Sequence, residues 1–282
     1  SLLLILYGIL TEKSIGDLFI AGIIPGIVLA IAYAVGIVLV AKFRPNLVYV
    51  DPSHKHIVQE SADMGLGEIA AKLLPIALLV LLVLGGIYGG FFTPVEAGAV
   101  GAAGAMAIAV AKRRLDRRRL WQVLVETAHI TASICFLIIA ASLYSRMLAI
   151  TGVTELLRSV LVDSGFGFAG LLVAFIVAVI ILGTLIDSSS IMLITIPLVL
   201  PSLIGFNVDL IWFGIVTLLA VEIGLLTPPF GLAVFVIKTT LNTSEKITIE
   251  DIFMGALPFA FVMFLVLLAV IAVPPLATIL LR

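Results

Sequence analysis

Apolar runs of membrane-crossing length recur along the whole chain, and they restrict what it can fold into. Residues 18–41, 73–92, 95–111, one stretch within Leu120–Ile150 and 253–281 can each cross ~30 Å of hydrocarbon. A short apolar stub occupies residues 1–10. Two further runs, 166–204 and 210–240, are long but interrupted. In lipid, every backbone polar group must be satisfied inside the protein, which leaves helices and closed barrels. The runs are continuous rather than alternating, so they read as helices. Charged residues fill 12% of the 282 positions, against about 25% in a soluble domain. The expected fold class is an all-α polytopic membrane protein. Three helix starts are signalled by a hydroxyl followed three residues later by an acid: Ser14–Asp17, Thr93–Glu96 and Thr248–Asp251. Pro94 adds a preformed first turn to the second of these.

The distribution of charge sets orientation. With the polar 43–71 loop placed inside, Lys42, Arg44, Lys55, Lys72, the six basic residues from Lys112 to Arg119, Lys238 and Lys246 are inside. Lys13, Arg146, Arg158 and Arg282 are outside. The Lys112–Arg119 block reads as a topology determinant at the lipid surface. The net charge of −1 gives no reason to expect a nucleic-acid partner. Cys135 stands alone in an apolar run and reads as packing. His54, His56 and His129 form no metal-ligand cluster, and the first two read as solvated loop residues. Ser1 opens inside an apolar run without an initiator Met or a cleavage signal, so the chain is expected to lack an N-terminal part.

Residues 14–25 and 248–258 resemble one another. Asp17, Phe19, Gly22 and Pro25 match Asp251, Phe253, Gly255 and Pro258 after one gap. The threading places the two copies in opposite directions, which suggests inverted repeats of the kind found in secondary transporters. Chance similarity between two capped apolar helices is the rival reading. If the repeat is real, Ser1 corresponds to the Phe230–Gly231 region, and the counterpart of 72–229 lies upstream.

Chemistry is expected at the two interruptions. Asp187 sits in Gly183–Ser190, between the apolar arms 166–182 and 191–204. A carboxylate at membrane depth is expensive and marks a functional position by default. The second arm falls short of the ~17 residues needed to span, so 166–204 reads as a re-entrant helical hairpin. Asp187, Ser188, Ser189 and Ser190 offer hard oxygens suited to Na⁺. The start of the second arm favours an anion. The rival is a capped loop between two true spans. The other interruption is Glu222–Gly231, where Pro228 and Pro229 remove two donors and end the helix at about Leu226. Thr227 can cap the helix that restarts, and carbonyls freed at residues 223–226 become available to a cation. The stretch reads as a discontinuous helix opposite the hairpin tip, against a simple proline kink. Glu222 is assigned no role. The glycines of Gly85–Ala97 lack the Gly-Lys-Ser/Thr ending of a phosphate loop and read as close-packing positions.

These motifs resemble the large membrane subunit of TRAP (tripartite ATP-independent periplasmic) transporters, over its C-terminal two-thirds. The resemblance rests on Asp17–Gly26, Gly85–Ala97 ending in Thr93-Pro94-Val95-Glu96-Ala97, Gly183–Asp187 followed by Ile196-Pro197 and Pro201, Phe213-Gly214, and Ile223-Gly224 with Thr227-Pro228-Pro229-Phe230-Gly231. Val95 and Gly98 depart from the family's usual Thr and Ala. The resemblance implies an elevator-type carrier related to the ion transporter superfamily, in the bacterial cytoplasmic (inner) membrane. Sodium would be the coupling ion, with no other cofactor. An organic acid would be delivered by a periplasmic (P-type) binding protein, and a small (Q-type) membrane subunit and lipid would be the other partners. It places Gly183, Asp187, Ser188 and Ser189 at the tip, and Gly224, Thr227 and Pro228 at the break, around the sodium and substrate region. Asp187, Ser188 and Thr227 are the expected sodium ligands. Residues 1–42 would close the first repeat, 43–71 form a polar interfacial loop, 72–150 supply scaffold helices and arm, and 151–282 form the transport domain.

Other classes fit less well. An intramembrane aspartyl protease needs two membrane aspartates, and Asp187 is the one that qualifies. A rhomboid-like protease needs a Gly-x-Ser-Gly partner for His129, and the sequence has none, so no enzyme is expected. A channel, or a related sodium–dicarboxylate carrier or cation antiporter, is the alternative.

Overall fold

The computed structural model describes residues 1–43, 66–153, 167–240 and 248–281. Most of the 43–71 loop, with His54 and His56, lies outside the described residues, as do Arg44, Lys55, Arg158, Lys246 and Arg282. Every regular element among the described residues is helical, and six helical stretches are long and apolar enough to cross a membrane. In chain order the helices are α1 (Leu2–Thr11), α2 (Ile15–Ala21), α3 (Ile23–Phe43), α4 (Leu66–Tyr88), α5 (Pro94–Ala111), α6 (Arg117–Thr151), α7 (Gly167–Gly183), α8 (Ser188–Gly205), α9 (Leu210–Leu226), α10 (Leu232–Thr240), α11 (Ile249–Ala272) and α12 (Pro275–Thr278). They form two compact units, one of residues 1–42 and 135–282, the other of residues 43–134.

The three signalled helix starts are present. Ser14 accepts from the Asp17 amide, and Thr93 with Glu96 and Thr248 with Asp251 form reciprocal capping boxes. In the smaller unit α4 and α5 pack antiparallel, with Gly101 against Val83 and Gly104 against Leu79. The Gly85–Gly90 glycines serve a different purpose from the expected helix packing. Gly85 and Gly86 lie in the last turn of α4 and Gly89 and Gly90 in the turn toward α5, where the Gly86 carbonyl accepts from the Phe91 and Phe92 amides. The Phe92 ring lies over Gly86, in space a side chain there would occupy. Cys135 is exposed on α6.

The larger unit is organised around α9. This helix is apolar all round and buried at most positions, as expected of a central helix. It packs against α7, α11, α1 and α2. The Phe175 and Phe213 rings meet at 4.9 Å, and the Trp212 indole N–H donates to the Val270 carbonyl at 2.9 Å.

Three expectations need correction. Residues 1–10 are not a stub: α1 buries Leu3, Leu4, Leu6 and Tyr7 against α8 and α9. The Tyr7 ring lies on Gly214, and its hydroxyl donates to the Leu210 carbonyl at 2.6 Å. The arm after Asp187 is not too short to span. Asp187 caps a helix that takes in Ser188–Ser190 and runs through Pro197 and Pro201 to Gly205, making 18 residues. Length therefore does not carry the re-entrant reading. The final span is α11, which starts at the Thr248 cap and stops at Ala272, because Pro274 and Pro275 supply no N–H to continue it.

Candidate functional site

The two interrupted stretches meet, and they meet backbone to backbone. A Cβ added to Gly183, the last residue of α7, would lie 2.7 Å from the Gly224 Cα. One added to Gly224 would lie 2.7 Å from the Gly183 Cα and 2.8 Å from the Ile180 carbonyl oxygen. Only glycine at both positions allows this crossing. Beyond it, the Gly231 amide donates to the Thr184 carbonyl at 3.3 Å, tying the α7–α8 connection to the α9–α10 connection. Four helix ends are thus gathered: the C-termini of α7 and α9 and the N-termini of α8 and α10. The first two bring negative dipole ends and favour a cation. The second two bring positive ends and favour an anion.

Asp187 is exposed and caps α8. Its Oδ2 accepts from the Ser190 amide at 3.0 Å, and its Oδ1 accepts from the Ser190 hydroxyl. Ser188 and Ser189 are half-buried in the first turn of the helix. Asp187 therefore bonds within its own helix, and the links between the two stretches run through Gly183, Thr184, Gly224 and Gly231.

Thr227 is not the cap of the restarting helix. Its hydroxyl donates back to the Ile223 carbonyl at 2.7 Å and its amide to the Gly224 carbonyl at 3.0 Å, so it closes α9. The Ile223 and Gly224 carbonyls, expected to be free, are engaged. The restart waits until Leu232, after a cis Pro228–Pro229 peptide bond and Gly231 at φ 41°. Pro228 is exposed.

Thr184 behaves like Thr227, donating to the Ile181 carbonyl at 2.8 Å. Each hydroxyl proton is committed to a carbonyl, which leaves the oxygen lone pairs for a cation. Among the described residues no three His, Cys, Asp or Glu side chains could hold a metal together. At the crossing the donors available to a cation are hydroxyl and carbonyl oxygens.

Thr184 and Gly231 were not singled out from the sequence, and Glu222 was assigned no role there. Glu222, on α9 two residues before the crossing, lines a cavity of about 210 Å³ with Gly22, Pro25, Gly26, Leu218 and Met263. The signal that could have found it is the one that found Asp187, a carboxylate within an apolar run. A larger cavity, about 470 Å³, lies by Phe168, Asp209 and Trp212 at the start of α9, away from the crossing.

Residues 1–276 match the sequence profile of the tripartite ATP-independent periplasmic transporter, DctM component. The chain belongs to the DctM family. The resemblance carried by Thr93–Ala97, Gly183–Asp187 and Thr227–Gly231 therefore holds over nearly the whole chain. Among DctM-family proteins it is 30% identical over 280 residues to the sialic acid TRAP transporter permease protein SiaT of Haemophilus influenzae, covering 99% of this chain and 43% of the relative. It is 30% identical over 277 residues to the C4-dicarboxylate large permease DctM of Pseudomonas aeruginosa, covering 97% of this chain and 61% of that protein. It is 30% identical over 275 residues to the ectoine large permease TeaC of Halomonas elongata, covering 97% of this chain and 61% of that protein. The chain thus spans 43% to 61% of the length of these three relatives.

Proposed function

We propose that this DctM-family chain forms part of a sodium-coupled secondary transporter that takes up an organic acid. The substrate is handed over by a periplasmic binding protein, and a small membrane subunit completes the complex in the bacterial cytoplasmic membrane. The observation that carries this reading is the Gly183–Gly224 crossing with the Gly231 amide on the Thr184 carbonyl, which joins the α7–α8 connection, where Asp187 caps α8, to the α9–α10 connection that follows Thr227. Paired interrupted helices of this kind suit a coupling ion and an anionic substrate in one neighbourhood. Relatives named for sialic acid and for C4-dicarboxylates support a carboxylate as the substrate class.

An elevator motion is supported by the division into compact units. Residues 1–42 and 135–282, which hold the crossing, pack as one body, as a moving domain must. Residues 72–150 would supply the scaffold; those up to 134 fall in the second unit, and 135–150 pack with the first. Half of the α8 span is buried within the protein, which favours a hairpin enclosed by protein over one facing lipid. The inverted-repeat reading gains support from length and capping. α1 and α10 have 10 and 9 residues, and each precedes a helix whose cap pairs a hydroxyl residue with an acid three positions on.

The deciding experiment uses the full-length transporter with its small subunit in proteoliposomes. Uptake of a labelled organic acid should require both an inward sodium gradient and the cognate binding protein. Uptake that ignores the sodium gradient would overturn the coupling. Uptake that ignores the binding protein would favour a related stand-alone carrier.

A further inference from the structure

The turn joining α5 to α6 concentrates charge that the described residues do not neutralise. Lys112, Arg113, Arg114, Arg117, Arg118 and Arg119 share it with one acid, Asp116. Asp116 is consumed locally. Its Oδ1 accepts from the Arg119 amide at 2.7 Å, and its Oδ2 lies 4.0 Å from the Arg119 Nε. Arg119 in turn donates from Nη1 to the Arg114 carbonyl at 2.8 Å. This brace fixes the turn and removes one positive and one negative charge. Lys112, Arg113, Arg114, Arg117 and Arg118 remain, all exposed and without an acidic partner among the described residues. Arg117 and Arg118 also occupy the first turn of α6, where the helix dipole opposes a cation, and the one acid, Asp116 just before it, is taken up by the Arg119 amide. The local fold therefore works against these charges.

Both flanking helices have the length and composition of membrane spans, so the turn lies at a bilayer surface. Trp121, one turn into α6, is 68% exposed. An exposed Trp beside a cationic cluster is how a helix anchors at the headgroup level. We propose that this turn docks the anionic phospholipid headgroups of the leaflet it faces, with Trp121 at the boundary with the acyl chains. This exceeds a role in setting orientation. Orientation needs positive charge only during insertion, whereas docking is an equilibrium affinity of the folded protein.

The test uses the purified full-length protein in phosphatidylcholine nanodiscs. Phosphatidylglycerol is titrated in, and bound lipid is read by native mass spectrometry alongside the thermal midpoint. Adducts and a raised midpoint are expected with phosphatidylglycerol but not with added phosphatidylcholine, and both should fade as salt is raised. The Arg117→Gln/Arg118→Gln variant keeps Lys112, Arg113 and Arg114 in the turn, unpaired among the described residues and enough to retain its orientation. It should bind phosphatidylglycerol about 25-fold more weakly, at about fivefold per cation. Should that variant misfold, Lys112→Gln and Arg113→Gln, each expected to lose about fivefold, decide the matter. Equal binding of the two lipids, or undiminished phosphatidylglycerol binding by the variants, overturns the proposal. So does tight capture of polyglutamate without lipid binding, which would indicate an acidic protein segment as the partner.

Discussion

Gly183 and Gly224 hold α7 and α9 so close that neither residue has room for a Cβ. The contact is between backbones, which cannot swing aside as side chains can. Gly224→Ala should therefore destabilise the protein by about 3 kcal/mol, the upper end for overpacking. Gly183→Ala should behave alike, since its Cβ would meet the Gly224 Cα and carbonyl carbon. Thermal unfolding of the full-length protein in detergent checks this, and an unchanged midpoint in both variants would contradict the crossing.

Asp187 caps α8, and asparagine caps a helix about as well as aspartate. Asp187→Asn should thus insert and fold normally yet lose sodium-stimulated uptake. Asp187→Ala should lose the uptake and, in addition, about 1 kcal/mol of stability. Sodium titrations of uptake, set beside thermal midpoints, separate the two effects. Normal sodium dependence in the Asn variant would remove the carboxylate from the ion site.

Glu222 presents a carboxylate to the cavity beside Gly22, Pro25 and Gly26. A charged group in such surroundings costs stability that a neutral one does not. Glu222→Gln should leave the thermal midpoint unchanged or raise it. A fall of several degrees would show that the charge is structurally required.

The Tyr7 hydroxyl is fully buried and bonds the Leu210 carbonyl. Tyr7→Phe removes the hydroxyl and keeps the ring on Gly214. A loss of about 1 kcal/mol is expected, read as a lower unfolding midpoint. A larger drop would mean that the ring has shifted as well.

Elements that announce themselves through local chemistry were legible in the sequence. The hydroxyl–acid spacing at Ser14, Thr93 and Thr248 located three helix starts, because a cap depends on neighbours a few residues away. The Pro228–Pro229 pair located the end of α9 at Leu226 for the same reason. What escaped depends on distant partners. Ten apolar residues are too few to span, so nothing in residues 1–10 told of the groove that α1 fills. The Thr227 hydroxyl could cap forward or bond backward, and only the path of α9 decides between them. The meeting of Gly183 with Gly224 follows from how two helices cross, which no window along the chain contains. At Asp187 the sequence located an unusual carboxylate but placed the serines in a loop, since a cap moved by a few residues turns loop into helix.

Tyr7 reaches a carbonyl 203 positions further along the chain. A membrane protein is threaded into the bilayer in the order in which it is translated, so α1 is delivered long before α9 exists. Until then its apolar face is left to lipid or to the insertion machinery. The seat of α1 therefore closes only once α9 has arrived, and release of the polypeptide before that point would leave α1 without it.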